Sequence, residues 1–268
     1  MLALAGGKGG CGKTTTACGL AGALVRAGSG PGGCRPLVAD ADVDMPDLHD
    51  RVGADPGPGL DAIADGAPVG SVVQTGHDLP GVDVVASGDV DSATPALQRL
   101  ATLDRPVLVD CPAGAGPDAA GPLQVADRAV VVSTATRPSL EDAAKTAAMS
   151  RTLGTPIDCL VLRETPGGSD GHLDDRRLGR LVEAPAVVRL PYRPDRPDSA
   201  AASSASPAPH SSPPSAASRR PFDALASLLY PSAGEGATAS AGRPPGTSSG
   251  RTARSAAGRS RMDGSAGR

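Results

Sequence analysis

Apolar residues fall into short, nearly unbroken runs: LALA at 2–5, PLVA at 36–39, VDVVA at 82–86, PVLV at 106–109, AVVV at 129–132, IDCLVL at 157–162 and AVVRL at 186–190. Neighbouring positions that are all apolar suit strands covered on both faces, as in the parallel sheets of alternating α/β folds. Between the runs, 13–27, 139–153 and 174–182 can be helical. The second of these starts well, with Ser139 behind Pro138 as a possible N-cap and Glu141 and Asp142 near the positive helix end. The pattern predicts a doubly wound, mostly parallel sheet flanked by helices, and such sheets bind ligands beyond the carboxyl ends of their strands.

The apolar rhythm stops late in the chain, where no Val or Ile follows Val188 and Ser, Ala, Pro, Gly and Arg dominate. Composition therefore divides the 268 residues near 198, with net charge −8 before that point and +5 after it. Segment 1–198 is expected to be the folded domain. Segment 199–268 buries too little apolar surface to offset its ordering entropy and is expected to be a disordered tail. Within it, 222–230 spaces Phe222, Leu225, Ala226 and Leu229 along one helical face, which reads as a short helix closing on the core.

With one Phe, two Tyr and no Trp, the core must be built from Val, Leu and Ala. The five cysteines form no C-x-x-C pair, which argues against a disulfide framework or a thiolate metal site. Residues 1–5 are too few for a signal peptide and no run reaches membrane-spanning length, so a cytoplasmic protein is expected.

Gly7-Lys8-Gly9-Gly10-Cys11-Gly12-Lys13-Thr14 follows the first predicted strand and opens the first predicted helix. It satisfies G-x-x-x-x-G-K-[ST], the phosphate-binding loop. Glycines let backbone amides turn inward around an anion, and the helix N-terminus adds partial positive charge. Lys8 and Lys13 are two of only three lysines, against 23 arginines. A compact ammonium reaches between amides toward the β and γ phosphates where a planar guanidinium fits poorly. Thr14 would offer its hydroxyl to Mg²⁺, and Thr15 lies ready for a more proximal phosphate.

The form K-G-G-x-G-K-T-T resembles the deviant phosphate loop of the MinD/ParA ATPase superfamily. That resemblance implies that Lys8 reaches across an ATP-sandwiched homodimer to the partner's phosphates. Two further stretches match by position. Asp40-Ala41-Asp42-Val43-Asp44-Met45-Pro46-Asp47-Leu48 resembles the family's first switch, implying that Asp42 orients the attacking water and that Asp40 sits in the outer shell of Mg²⁺. Asp110-Cys111-Pro112-Ala113-Gly114, after an apolar strand, resembles the Walker B segment and second switch. Asp110 would then hold Mg²⁺ through water, and Gly114 would offer an amide to the γ-phosphate. Where the family usually places an adenine-reading Asn, this chain has Arg163, which can stack on a base but cannot copy an amide's paired donor and acceptor. Pro191 matches the loop beside the base.

The resemblance covers about residues 1–195 and implies a slow, Mg²⁺-dependent ATPase switch of the MinD type, acting in division-site or cargo positioning with an unidentified activating protein. The alternative is a ParA-like partition ATPase on nonspecific DNA, to which the eight arginines after residue 198 would contribute. A metal-cluster carrier resembles the chain through the same loop but would need paired cysteines. The 222–230 segment is short and weakly basic for a membrane helix. A membrane or nucleoid surface stays open as the place of action.

Overall fold

A computed structural model describes residues 1–28, 34–165, 174–191 and 216–231. In chain order these form β1 (Leu2–Gly6), α1 (Lys13–Ala27), β2 (Leu37–Asp40), α2 (Leu48–Val52), α3 (Leu60–Ala64), α4 (Val69–Val72), β3 (Gln74–Thr75), β4 (Asp83–Val85) and α5 (Thr94–Leu100). There follow β5 (Val107–Ala113), α6 (Pro117–Val125), β6 (Arg128–Thr134), α7 (Arg137–Thr152), β7 (Ile157–Arg163), α8 (Asp175–Val182), β8 (Val187–Leu190) and α9 (Ala216–Leu229). The sheet runs β3-β4-β2-β5-β1-β6-β7-β8 and is parallel except for the two-residue edge strand β3. This is the expected doubly wound architecture of a P-loop NTPase.

Alternation along the strands sorts the core into two faces. Leu2 and Leu4 of β1 join Val38, Leu108, Val130 and Val132 beneath α1 and α9, while Ala3 and Ala5 turn with Ala39, Val109 and Cys111 toward helices α3 to α6. Farther along that second face, Val131, Leu160 and Leu162 pack against Leu140, Ala143 and Ala147 of α7 and Leu178 and Val182 of α8. Burial on both sides explains why the strands read as continuous apolar runs. Strand β1 lies at the centre between β5 and β6, so its carboxyl end opens at the point where strand order reverses.

One local expectation is corrected. Helix α7 starts at Arg137 behind Thr136, not behind Ser139, because Ser139 is buried and its hydroxyl is engaged with Ser133 Oγ and the Thr134 amide. Of the residues after 198, those from 216 to 231 are described, and 216–229 of them form α9. Helix α9 brings buried Leu225, Ala226 and Leu229 into the α1 face and sets Phe222 on Gly19, where any Cβ would collide with the ring. Burial of that apolar stripe is what carries the segment into the fold. Tyr192 and the arginines from 243 onward lie outside the described residues. No helix among the described residues is long and apolar enough to cross a membrane.

Candidate functional site

Residues 7–12 turn the chain from β1 into α1. Gly10 and Gly12 take left-handed backbone (φ 75° and 93°), conformations that favour glycine. Gly7 is required by close approach, since a Cβ there would enter the backbone of α7 at Asp142. Above Gly9 and Gly10 nothing lies within 4 Å. Cys11 is buried under the loop, and burial pushes its thiol pKa up, so it acts as a neutral plug.

The three lysines differ in their surroundings. Lys145 is exposed and pairs with Asp142 at 2.8 Å. Lys8 is exposed on the loop, with no salt bridge among the described residues. Lys13, the first residue of α1, is only 6% exposed, and it too has no salt bridge among the described residues. A buried ammonium held by no direct salt bridge is costly, and Asp42 and Asp110 act on it only at longer range. Here it stands at a helix N-terminus, which already favours an anion.

Carboxylates converge on the same end of the sheet. Parallel pairing of β2 with β5 puts Asp40 in register with Asp110, and both are buried. Asp40 accepts from the amides of Asp42 (3.1 Å) and Leu48 (3.1 Å), which tie down the switch segment. Burial drives its pKa up to about 7 despite those bonds. For Asp110, burial and then the charge of Asp40 push the value up to about 8, and its Oδ1 has no hydrogen-bond partner. Asp42 is half-buried, accepts from the Met45 amide at 3.2 Å and is raised chiefly by burial.

These oxygens fit Mg²⁺, a hard cation that usually keeps several waters and takes one or two carboxylates plus substrate phosphates. The orphaned Oδ1 of Asp110 and the nearby Thr14 hydroxyl are suitable donors. No cluster of three or more metal-binding side chains occurs among the described residues. A cation completed by water and phosphate needs none.

Two contributors were not singled out from sequence. Asp47 accepts from Thr14 Oγ1 at 2.9 Å, and Arg51 donates to Thr15 Oγ1 at 3.1 Å and to Asp47 Oδ2 at 3.4 Å. Their i,i+4 spacing at the start of a helix was the available signal. Gly114, by contrast, has its amide engaged with the Gly6 carbonyl at 3.0 Å, so offering it to a phosphate requires that bond to exchange. Arg163 ends β7 and lies across Gly12, where a Cβ would strike its guanidinium; it is beside the phosphate loop. Pro191 is exposed just beyond β8.

Comparison with known proteins agrees with this fold. The profile of the CobQ/CobB/MinD/ParA nucleotide binding domain matches residues 2–203. An uncharacterized ATP-binding protein of Methanocaldococcus jannaschii is 28% identical over 204 residues, covering 72% of this chain and 74% of the relative. The cell division ATPase MinD of Pyrococcus furiosus superposes with a TM-score of 0.65 at 24% identity, covering 85% of this chain and 97% of that one. Septum site-determining protein MinD of Pyrococcus horikoshii, solved with Mg-ADP, gives 0.60 at 22% identity, covering 72% and 82%.

Proposed function

The chain belongs to the CobQ/CobB/MinD/ParA nucleotide-binding family, and from that premise we propose that it is a Mg²⁺-dependent ATPase switch that dimerises around two ATP molecules and serves spatial organisation of the cell. The observation that carries this reading is Lys13, buried, with no salt bridge among the described residues, and standing as the first residue of a helix that follows an open glycine loop. A triphosphate supplies the missing negative charge.

Each residue has a role in that reading. Lys13 and the loop amides from Gly7 to Thr14 hold the phosphates in line, and Thr15 contacts a proximal one. Thr14, Asp110 and Asp40 hold Mg²⁺, directly or through water, and the bound cation neutralises charge on the phosphate oxygens. Asp42 accepts a hydrogen bond from the attacking water and aligns it; Lys8 reaches the phosphates of a second copy. Positioning and charge neutralisation account for most of the acceleration in such chemistry. Arg163, beside Gly12, and Pro191 border the base. Turnover is slow until an activating protein completes the site.

A metal-cluster carrier is disfavoured because it needs ligating cysteines, and no other cysteine stands at ligand spacing from Cys111. Partition along nonspecific DNA is the alternative use of the same ATPase, resting on the basic segment after 198. Strongly salt-dependent retention on DNA, lost when 234–268 are removed, would favour it.

Light scattering coupled to size exclusion tests the switch. Wild type should dimerise with ATP and Mg²⁺, Lys8→Ala should bind nucleotide yet stay monomeric, and Asp42→Ala should accumulate as the ATP-bound dimer. Unchanged dimerisation of Lys8→Ala would reject the trans lysine, and wild-type hydrolysis by Asp42→Ala would reassign that residue.

A further inference from the structure

We propose that Asp47 and Arg51 are positioning residues that orient the Thr14 hydroxyl for Mg²⁺ and thereby set the metal dependence of nucleotide binding. The inference rests on the nucleotide reading above and deepens it.

Asp47 stands at the N-cap of α2, where an aspartate ordinarily accepts from a first-turn amide. Its side chain makes no such bond. The carboxylate points instead at another element, taking the Thr14 hydroxyl hydrogen on Oδ1 at 2.9 Å. Arg51, one helical turn on, donates to Oδ2 at 3.4 Å and at the same time to Thr15 Oγ1 at 3.1 Å. Thr14, Asp47, Arg51 and Thr15 therefore close a ring that fixes both threonine hydroxyls of the phosphate loop.

The chemistry of a hydroxyl ligand gives this ring its purpose. A hydroxyl binds a cation through an oxygen lone pair, so its hydrogen must point elsewhere, to an acceptor. Thr14 is also a hydrogen-bonding neighbour of Asp110, and one hydrogen cannot serve both carboxylates. By taking it, Asp47 leaves the Thr14 oxygen and the orphaned Oδ1 of Asp110 available together to a divalent cation. Arg51 anchors the second oxygen of Asp47 and keeps the carboxylate from swinging away. Partners that orient a metal ligand commonly alter affinity when removed, by about 10–100-fold.

Calorimetric titration of full-length protein with a non-hydrolysable ATP analogue, in Mg²⁺ and in EDTA, tests the assignment. Wild type should bind more tightly in Mg²⁺. Asp47→Ala should lose about 10-fold or more of that gain while matching wild type in EDTA. Asp47→Asn, which keeps an acceptor oxygen, should retain most of it, and Arg51→Ala should fall between the two. A wild-type Mg²⁺ gain in Asp47→Ala, or equal losses with and without the metal in both Asp47 variants, would overturn the proposal. Absence of analogue binding by wild type would overturn the nucleotide reading itself, and the proposal with it.

Discussion

Helix α1 has two ends with opposite settings. Its middle and last turns are satisfied: Leu20, Ala21 and Leu24 are buried against strands and α9, Gly19 receives the Phe222 ring, and Arg26 pairs with Asp223. Its first turn buries an ammonium beside carboxylates that hold a proton more tightly than usual, and one of their oxygens lacks any partner. Groups that complete one another stabilise a fold, whereas buried groups that lack completion cost stability and mark a place for a ligand. In the proposed reading the same helix is therefore scaffold at one end and nucleotide site at the other.

The largest test of this contrast is Lys13→Met. It should weaken nucleotide binding by roughly 2–5 kcal/mol, the usual cost of losing one partner of a buried charge pair. In the same variant the ligand-free thermal midpoint should rise, because an unpaired buried charge is gone. A fall in that midpoint would show that Lys13 already has its counter-charge within the chain. At the satisfied end, Leu225→Ala should cost about 3 kcal/mol in denaturant unfolding. Nucleotide affinity of the variant that remains folded should match wild type.

The contrast can also be sharpened with pH. The Asp40 and Asp110 carboxyls are raised well above the ordinary carboxylate value of 3.8, to about 7 and about 8. A raised acid stabilises the fold fully below its unfolded value, and that contribution is lost as pH climbs through the folded value. The ligand-free protein should thus lose stability between about pH 4 and pH 8. Mg²⁺ requires the deprotonated acids, so the stabilisation conferred by nucleotide with Mg²⁺ should grow over that range; thermal midpoints at pH 5, 6.5 and 8 measure both trends. The smallest effect belongs to the surface pair at the satisfied end, where Asp223→Ala should cost about 0.2–1 kcal/mol, less at high salt.

Much of this was legible in the chain. Runs such as Val130 to Val132 announced strands covered on both faces, and α1 occupies the expected 13–27 because its loop and apolar spacing agree. The short helices α2 to α4 and the edge strand β3 carry too few residues for a periodic signal, and tertiary packing rather than local preference defines them. Lys13, Thr14, Asp40 and Asp110 can be named as candidates from sequence because a motif fixes their spacing, and parallel pairing brings the two acids side by side. Asp47 and Arg51 occupy positions that no motif constrains. Their contacts with Thr14 and Thr15 emerge only when α2 is folded against the first turn of α1.

In the proposed reading the first turn of α1 awaits a triphosphate. Isothermal titration of wild-type protein with Mg²⁺ and a non-hydrolysable ATP analogue measures this most directly. The prediction is saturable binding of one nucleotide per chain, weakened by roughly 2–5 kcal/mol in Lys13→Met and accompanied in wild type by a rise in thermal midpoint. No heat of binding and an unchanged midpoint at millimolar analogue would contradict it.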